Sequence, residues 1–466
     1  MTKGEQIEIE ITDIGTDGQG VGKKDGMAVF VAHGKSSPVV GDTVLAEIVE
    51  IKKRFAKAEL VETVKPSIFR CAPFCSHSDE CGGCMLQNMT YESHLALKEK
   101  QARDKYSRIA GIENPDVAGI IGMGSPYRFR NKTKMAVGNG NVGFFSAKSH
   151  KIVDCATCQI SAKPAEAVAG ALREFMGAYG ACDACGAAAG GGSAGKGCLR
   201  HVTVRTAFGT GEVMAVLAVD GGELPHCGEL VRMMDEAVEA ANAADGTEFS
   251  LESVMLHTGS SAPAAVGKLK AVAGRQTITD NMGGMKFEIS PLSFYQVNPV
   301  QAARLYGKVI EYASLAGGET VLDAYCGVGA IGLLCAPRAG MVIGIESNRG
   351  AVADANRNAA INGIVNAQYV CGYAEIELPK LAGKGFSVDV AILDPPRAGC
   401  RRELLEAVAR VGAKRIVYVT CDIATQARDI KSLRELGYGF VESSLIDMFP
   451  WSMGTEAVAL LELSAF

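Results

Sequence analysis

The last third of the chain constrains the fold most, because short apolar runs closed by glycine, acid or proline alternate there with helical segments. TVLDAYCGVGAIGLL (320–334), MVIGIES (341–347), VAILDPP (390–396) and RIVYVTC (415–421) are such runs. This alternation predicts a mostly parallel sheet with helices on both faces, a Rossmann-like α/β unit. In such sheets ligands bind outside the carboxyl ends of the strands. The residues closing these runs are therefore the first candidates for chemistry.

The first 65 residues read differently. IEIEI, MAVFV and TVLAEIVEI alternate apolar and polar positions and are broken by DGQG, KKDG and the GKSSPVVGD turn. Short strands at this density suit an OB-like β-barrel, a fold that often grips oligonucleotides, although a generic or SH3-like adaptor barrel fits the pattern too. A cysteine-dense stretch follows from Cys71 to Cys84. A charged helical segment comes next, TYESHLALKEKQARDKYSRIAG, and a second turn-rich β region contains YRFRNKTKMAV, HVTVRTAF and EVMAVLAVD. The Gly/Ala-rich stretch at 180–197 reads as a loop or insertion.

With 466 residues, the chain is long enough for two or three units of roughly 100–200 residues. The expected division is an OB-like domain at 1–65, a central β-rich region with the cysteine cluster at 66–290, and a Rossmann-like domain at 291–466. The helical segment 87–115 is a candidate to pack on the last of these. Lys and Arg number 47 against 52 Asp and Glu, a net charge of -5, so a basic nucleic-acid-coating protein is excluded and any RNA must be gripped locally. The opening MTKGEQIEIE is no signal peptide and no run of 18 apolar residues occurs, so a cytoplasmic location away from membranes is expected. Fifteen cysteines in a reducing compartment point to metal or catalytic uses before disulfides.

Leu322-Asp323-Ala324-Tyr325-Cys326-Gly327-Val328-Gly329 is a strand-to-helix turn whose glycines let a cofactor approach the backbone. It lacks the third glycine of a dinucleotide site and the Lys-Ser/Thr of a phosphate loop, which disfavours NAD and ATP and leaves adenosylmethionine open. Glu346 ends the next strand, where an acid hydrogen-bonds ribose hydroxyls in nucleoside-binding α/β folds. Asp394-Pro395-Pro396-Arg397 closes another, with arginine where an amine methyltransferase would carry a stacking aromatic. Val419-Thr420-Cys421-Asp422 puts a thiol at a strand end, and Glu456 starts the apolar strand AVALLEL near the C-terminus.

A thiolate, a methyl donor and a base are what pyrimidine C5 methylation requires, since thiolate addition at ring position 6 makes position 5 nucleophilic. Cys421 could supply the first and Glu456 the last. A buried inert cysteine and an ordinary strand-start glutamate are the bland alternatives.

Read in order, these elements resemble the RNA (uracil-5-)-methyltransferase family, specifically members with an N-terminal TRAM domain and an iron–sulfur cluster of the 23S rRNA-modifying type. Ser293-Phe294-Tyr295-Gln296-Val297-Asn298, DAYCGVG, DPPRAG, VTCD and Cys75-x5-Cys81-Gly82-Gly83-Cys84 carry the likeness over nearly the whole chain. The resemblance implies Cys421 as nucleophile and Glu456 as base. It implies Gln296, Tyr325, Glu346 and Asp394 as S-adenosyl-L-methionine contacts. It further implies a [4Fe–4S] cluster on Cys75, Cys81, Cys84 and Cys158, and an RNA partner, ribosomal in preference to transfer RNA.

The chain departs from the family at Asp422-Ile423, where Asn-Pro is usual, at Trp451-Ser452 for His-Thr, at Ala330 for Asn, and at Gly372-Tyr373. Two zinc readings compete for the thiols: Cys71 with Cys75, Cys81 and Cys84, or Cys155-x2-Cys158 with Cys182-x2-Cys185. For function, the rivals are a tRNA uracil-5-methyltransferase, an RNA cytosine-5-methyltransferase, which would add a Pro-Cys motif absent after Pro396, and a non-catalytic iron–sulfur RNA-binding protein. A monomer is expected, since the catalytic logic needs one chain.

Overall fold

The computed structural model describes residues 1–32, 37–147, 149–180, 198–258 and 267–464. Two compact units emerge, Met1–Ala102 with Phe144–Val153 and Phe449–Thr455, and Arg103–Gly143 with Asp154–Met448 and Glu456–Phe466. The Gly/Ala-rich insertion from 181 to 197, with Cys182 and Cys185, lies outside the described residues.

The first unit is built on β1 (Gln6–Glu10), β2 (Asp13–Ile14), β3 (Gly20–Lys24), β4 (Met27–Ala32), β5 (Thr43–Ile51) and β6 (Phe55–Lys65). In β1 the pattern QIEIE turns Ile7 and Ile9 inward and the glutamates outward, the period-2 signature of a half-buried strand. The sheet order is β1-β5-β6-β4-β3-β2. Its two ends, β1 and β2, are consecutive in the chain, so the sheet closes on itself through residues 11 and 12, where Ile11 N–H donates to Asp42 and Thr12 N–H to Val21.

Closure brings backbones close. A Cβ on Gly22 would lie 2.3 Å from the Glu10 carbonyl oxygen and 2.8 Å from Ile9 Cδ1. Gly22→Ala is expected to destabilise the barrel by on the order of 1–3 kcal/mol. Hydrogen exchange should speed up in β1 and β3; unchanged protection there would contradict the closure.

In the same unit, buried Asp42 gathers the chain after β6, accepting from Val39 N–H (2.8 Å), Ser67 N–H (2.9 Å) and Arg70 Nε (3.1 Å). Trp451, with φ at +66°, is buried against Phe74, ring centroids 4.9 Å apart.

Helix α1 (Tyr91–Arg108) leads to β7 (Val117–Ile121). The central stretch contributes β8 (Lys132–Gly138), β9 (Asn141–Phe145), β10 (Ile152–Asp154), α2 (Lys163–Tyr179), β11 (Cys198–Thr206), β12 (Glu212–Asp220), α3 (Cys227–Asp245), β13 (Ser250–Thr258) and β14 (Lys268–Gly274). Its sheet runs β10-β9-β8-β11-β12-β13-β14. The hairpin of β15 (Ile278–Met282) and β16 (Met285–Ile289) turns through Gly283 and Gly284, both at positive φ as a tight two-residue turn demands.

The last third of the chain then alternates as its sequence predicts. It consists of α4 (Pro299–Ala313), β17 (Thr320–Ala324), α5 (Ala330–Cys335), β18 (Met341–Glu346), α6 (Arg349–Ile361), β19 (Ala367–Cys371), α7 (Ala374–Gly383), β20 (Val390–Leu393), α8 (Arg402–Arg410), β21 (Arg415–Thr420), α9 (Ile423–Glu435), β22 (Tyr438–Ile446) and β23 (Glu456–Leu463). The sheet order is β19-β18-β17-β20-β21-β23-β22-β7. β17 pairs in parallel with both β18 and β20. β23 runs antiparallel to β21, and β7 joins the far edge in parallel with β22.

Because β18 lies on one side of β17 and β20 on the other, the helices that follow β17 and β20 diverge and leave a crevice at the strand ends. β20 is buried along its length and β21 nearly so, as parallel strands covered on both faces require. Tyr106, at the end of α1, places its hydroxyl on Gln426 and Ser443 (2.9 Å to the serine). Among the described residues no helix is long and apolar enough to cross a membrane.

Candidate active site

A cavity of about 1170 Å³ opens at the carboxyl ends of β17, β18, β20 and β21. Gln296, Tyr325, Glu346, Asp394, Cys421 and Glu456 all line it. Every residue expected to act on cofactor or substrate is thus brought to one place.

The cofactor side is built from the first two strands. Tyr325 follows β17 at φ +65°, a left-handed conformation that non-glycine residues seldom adopt, and its hydroxyl donates to Glu375 Oε1 at 2.8 Å. This strained corner turns the chain into Gly327 and Gly329, both at positive φ. A Cβ on Gly329 would sit 2.7 Å from the Tyr369 hydroxyl, so the turn accepts only glycine there. Glu346 binds the glycine turn to the next strand end, accepting from Gly327 N–H at 3.2 Å and Asn348 N–H at 2.7 Å. Ser347 Oγ also donates to Oε1 at 3.2 Å, so three of about four lone-pair sites are used and one remains for a ribose hydroxyl. Gln296 is held through its backbone, whose carbonyl accepts from Asn131 Nδ2 at 2.9 Å.

The reactive side lies across β20, β21 and β23. Cys421 stands between the last residue of β21 and Asp422, the N-cap of α9, whose carboxylate accepts from Ala424 N–H (3.0 Å) and Thr425 N–H (3.1 Å). The departure from Asn-Pro to Asp422-Ile423 therefore leaves the helix start capped. Burial pushes the Cys421 thiol above its ordinary range and the Glu456 charge adds to this, while Arg397 pulls it down. Glu456 is 5% exposed; burial, reinforced by Asp394, pushes its carboxyl up to about 8, and Arg397 opposes that shift. Burial likewise raises Asp394 to about 6.

Cys421, Glu456 and Asp394 thus line the same cavity, and Arg397 acts on both the thiol and Glu456. In the sequence, Arg397 stands out only as the residue in an aromatic's usual place. A fixed cation at a strand end, one sheet position from a thiol, is the signal that could have marked it.

The thiols expected to hold a metal fall in both units. Cys75, Cys81 and Cys84 belong to the first unit and Cys158 to the second. Among the described residues no group of three or more His, Cys, Asp or Glu is placed to hold a metal ion. Cys71 donates to the Gln87 carbonyl (3.5 Å) and Cys155 to that of Thr157 (3.1 Å).

Comparison with known proteins agrees with the geometry. Residues 270–464 match the tRNA (uracil-5-)-methyltransferase family, and residues 1–61 match the TRAM domain. An uncharacterized RNA methyltransferase of Caldanaerobacter subterraneus subsp. tengcongensis is 39% identical over 98% of this chain and 98% of its own length. Another, from Clostridium tetani, is 37% identical over 99% of this chain and 97% of its own. Among solved structures, the Pyrococcus abyssi tRNA (uracil-54, C5)-methyltransferase bound to S-adenosyl-L-homocysteine superimposes with a TM-score of 0.74 at 28% identity, covering 98% of this chain and all of that one. The strand-end cavity, its thiol and carboxylates, and likeness along the full length converge: this chain belongs to the RNA (uracil-5-)-methyltransferase family, with a TRAM domain at its N-terminus.

Proposed function

We propose that this enzyme methylates carbon 5 of a uridine in RNA through a covalent adduct between Cys421 and carbon 6. The observation that carries the reading is the gathering of Cys421, Glu456, Asp394 and Arg397 in the same cavity as Gln296, Tyr325 and Glu346. Bound adenosylmethionine supplies an electrophilic methyl group and a sulfonium charge.

Glu346 hydrogen-bonds the ribose, and Tyr325, Gln296 and Asp394 hold the donor at the strand ends. The target uridine leaves its stack to reach them, since ring atoms are inaccessible inside one. Cys421, as thiolate, adds its electron pair to carbon 6, and the ring electrons shift toward carbon 5. Carbon 5 takes the methyl group, and the electrons of the broken carbon–sulfur bond stay on the sulfur of the departing S-adenosylhomocysteine. The Glu456 carboxylate removes the carbon 5 proton. The carbon 6–sulfur bond then breaks and Cys421 recovers its thiolate.

Both protein groups must start deprotonated, and burial works against this in each. The sulfonium cation favours both anions, so donor binding prepares the site. Turnover is expected to rise with pH from about 6 through about 8, where Glu456 loses its proton. A rate that falls over that interval would exclude Glu456 as base.

For the RNA we take 23S rRNA, on the TRAM domain together with the thiol-rich loop that the family resemblance links to that substrate. The Pyrococcus abyssi protein is a tRNA enzyme, so the test offers both RNAs. Labelled adenosylmethionine is incubated with undermodified ribosomal and transfer RNA, followed by nucleoside mass spectrometry. 5-Methyluridine in 23S rRNA is the expected product. The same nucleoside in tRNA alone would move the target, and 5-methylcytidine would overturn the reaction. The resemblance also implies the [4Fe–4S] cluster, which iron and acid-labile sulfide analysis of anaerobically purified protein tests: stoichiometric iron if the four thiols close on one cluster, none if they stay apart.

A further inference from the structure

Arg397 sits in a turn, Pro396-Arg397-Ala398-Gly399, closed by Gly399 N–H donating to the Pro396 carbonyl at 2.8 Å. Turns of this kind are exposed and tolerate several conformations. Here two adjacent side chains of α9 bind its trailing end. Asp429, which is 2% exposed, accepts through Oδ2 from Cys400 N–H and from the Tyr418 hydroxyl, both at 2.7 Å. Its Oδ1 accepts from Arg428 Nε at 2.8 Å, and Arg428 Nη2 donates to the Ala398 carbonyl at 2.9 Å.

Gly399 has φ at +77°, and a Cβ there would meet Arg428 Nη2 and Asp429 Oδ2, each at 2.5 Å. The fit is therefore too close for a side chain. A buried carboxylate with three donors and a guanidinium on a loop carbonyl is more than a helix needs to pack on a strand. What these contacts hold is the short segment between Asp394 and Cys400.

We infer that Arg428 and Asp429 form a positioning clamp that fixes the Pro396–Gly399 turn so that Arg397 stays on the cavity wall it shares with Cys421. The clamp acts only through Arg397, and it rests on the reading of Arg397 as the cation that supports the Cys421 thiolate. Tyr418, one strand residue away from Val419-Thr420-Cys421, carries the clamp into β21, so the arginine turn and the nucleophile are referenced to the same strand.

The test uses the full-length protein. Iodoacetamide alkylation of Cys421 is followed by peptide-resolved mass spectrometry across a pH series, which reads the thiol itself and needs neither RNA nor turnover. Arg397→Met is expected to move the alkylation profile to higher pH and to slow the reaction near neutrality by about tenfold, because the thiolate is the reacting species and loses a decade of population for each pH unit its midpoint rises. Arg428→Met and Asp429→Asn should move the profile in the same direction. In the double variant Arg397→Met/Arg428→Met the profile should lie no higher than in Arg397→Met alone.

If Asp429→Asn fails to fold, Arg428→Met still decides the matter, since its side chain is 53% exposed. A displaced Arg397→Met profile with an unmoved Arg428→Met profile, or additive displacements in the double variant, overturns the clamp. An unmoved Arg397→Met profile overturns the reading beneath it.

Discussion

Cys421→Ala protein is expected to bind adenosylmethionine and RNA and to transfer no methyl group. The thiolate is the sole source of the electrons that make carbon 5 nucleophilic in this scheme. Its removal takes away the reaction path, and losses on the order of 10⁶-fold accompany removal of an obligatory nucleophile. Binding should survive because Cys421 is only half-buried and its neighbour Asp422 caps α9 without it. The measurement is filter-retained label together with calorimetric titration of the cofactor product. Normal turnover by the variant would refute the covalent route, and loss of cofactor binding would show that the cavity had collapsed.

Glu456→Gln has a different expected signature, accumulation of RNA covalently bound to protein. Addition at carbon 6 and methyl transfer do not need Glu456, whereas loss of the carbon 5 proton does. The methylated adduct therefore forms and cannot resolve. Turnover should fall by about 10²–10⁴, the usual range for a positioned general base. On a denaturing gel the variant should carry an RNA-retarded band that Cys421→Ala lacks. A Glu456→Gln protein that turns over slowly without any adduct would assign the proton to another base.

The same substitution should raise stability. Glu456 holds a proton in the fold up to about 8, against an ordinary value of 4.5. Between these values the unfolded chain has released the proton that the folded chain keeps, so the contribution of Glu456 to stability declines as pH rises through this window and is fully retained below it. Glutamine carries no such charge. The melting temperature of Glu456→Gln should exceed that of the wild type by a margin that grows across that window, an effect on the order of a few kcal/mol at its largest. A constant difference at all pH values would contradict the buried-carboxyl account.

The reactive residues are legible without coordinates because each closes or opens an apolar run. Parallel strands alternate with helices, and this periodicity alone assigns Tyr325, Glu346, Asp394 and Cys421 to strand ends on one edge of a sheet. Arg397 is harder to read. An arginine after two prolines looks like any surface cation, and its pairing with Cys421 depends on which strands are neighbours. The clamp on α9 is illegible for the same reason, since Arg428 and Asp429 lie in an ordinary amphipathic helix. The cysteines are legible only as spacing. Cys75, Cys81 and Cys84 are close in sequence, and spacing alone suggests a ligand set, but their placement with Cys158 forms no metal-binding group among the described residues.

By itself, then, the sequence determined the two fold types and the chemistry available at the strand ends, because local patterns of burial, glycine and acid act over a few residues. Tertiary structure alone decided that β1 and β2 close the barrel through one continuous segment. It also decided that Val117–Ile121 becomes the outer strand of the eight-stranded sheet and that Arg397 and Cys421 line one cavity. These are contacts between residues far apart in the chain. They are selected by which apolar faces can be buried together and which buried charges find partners, and no local pattern records that choice.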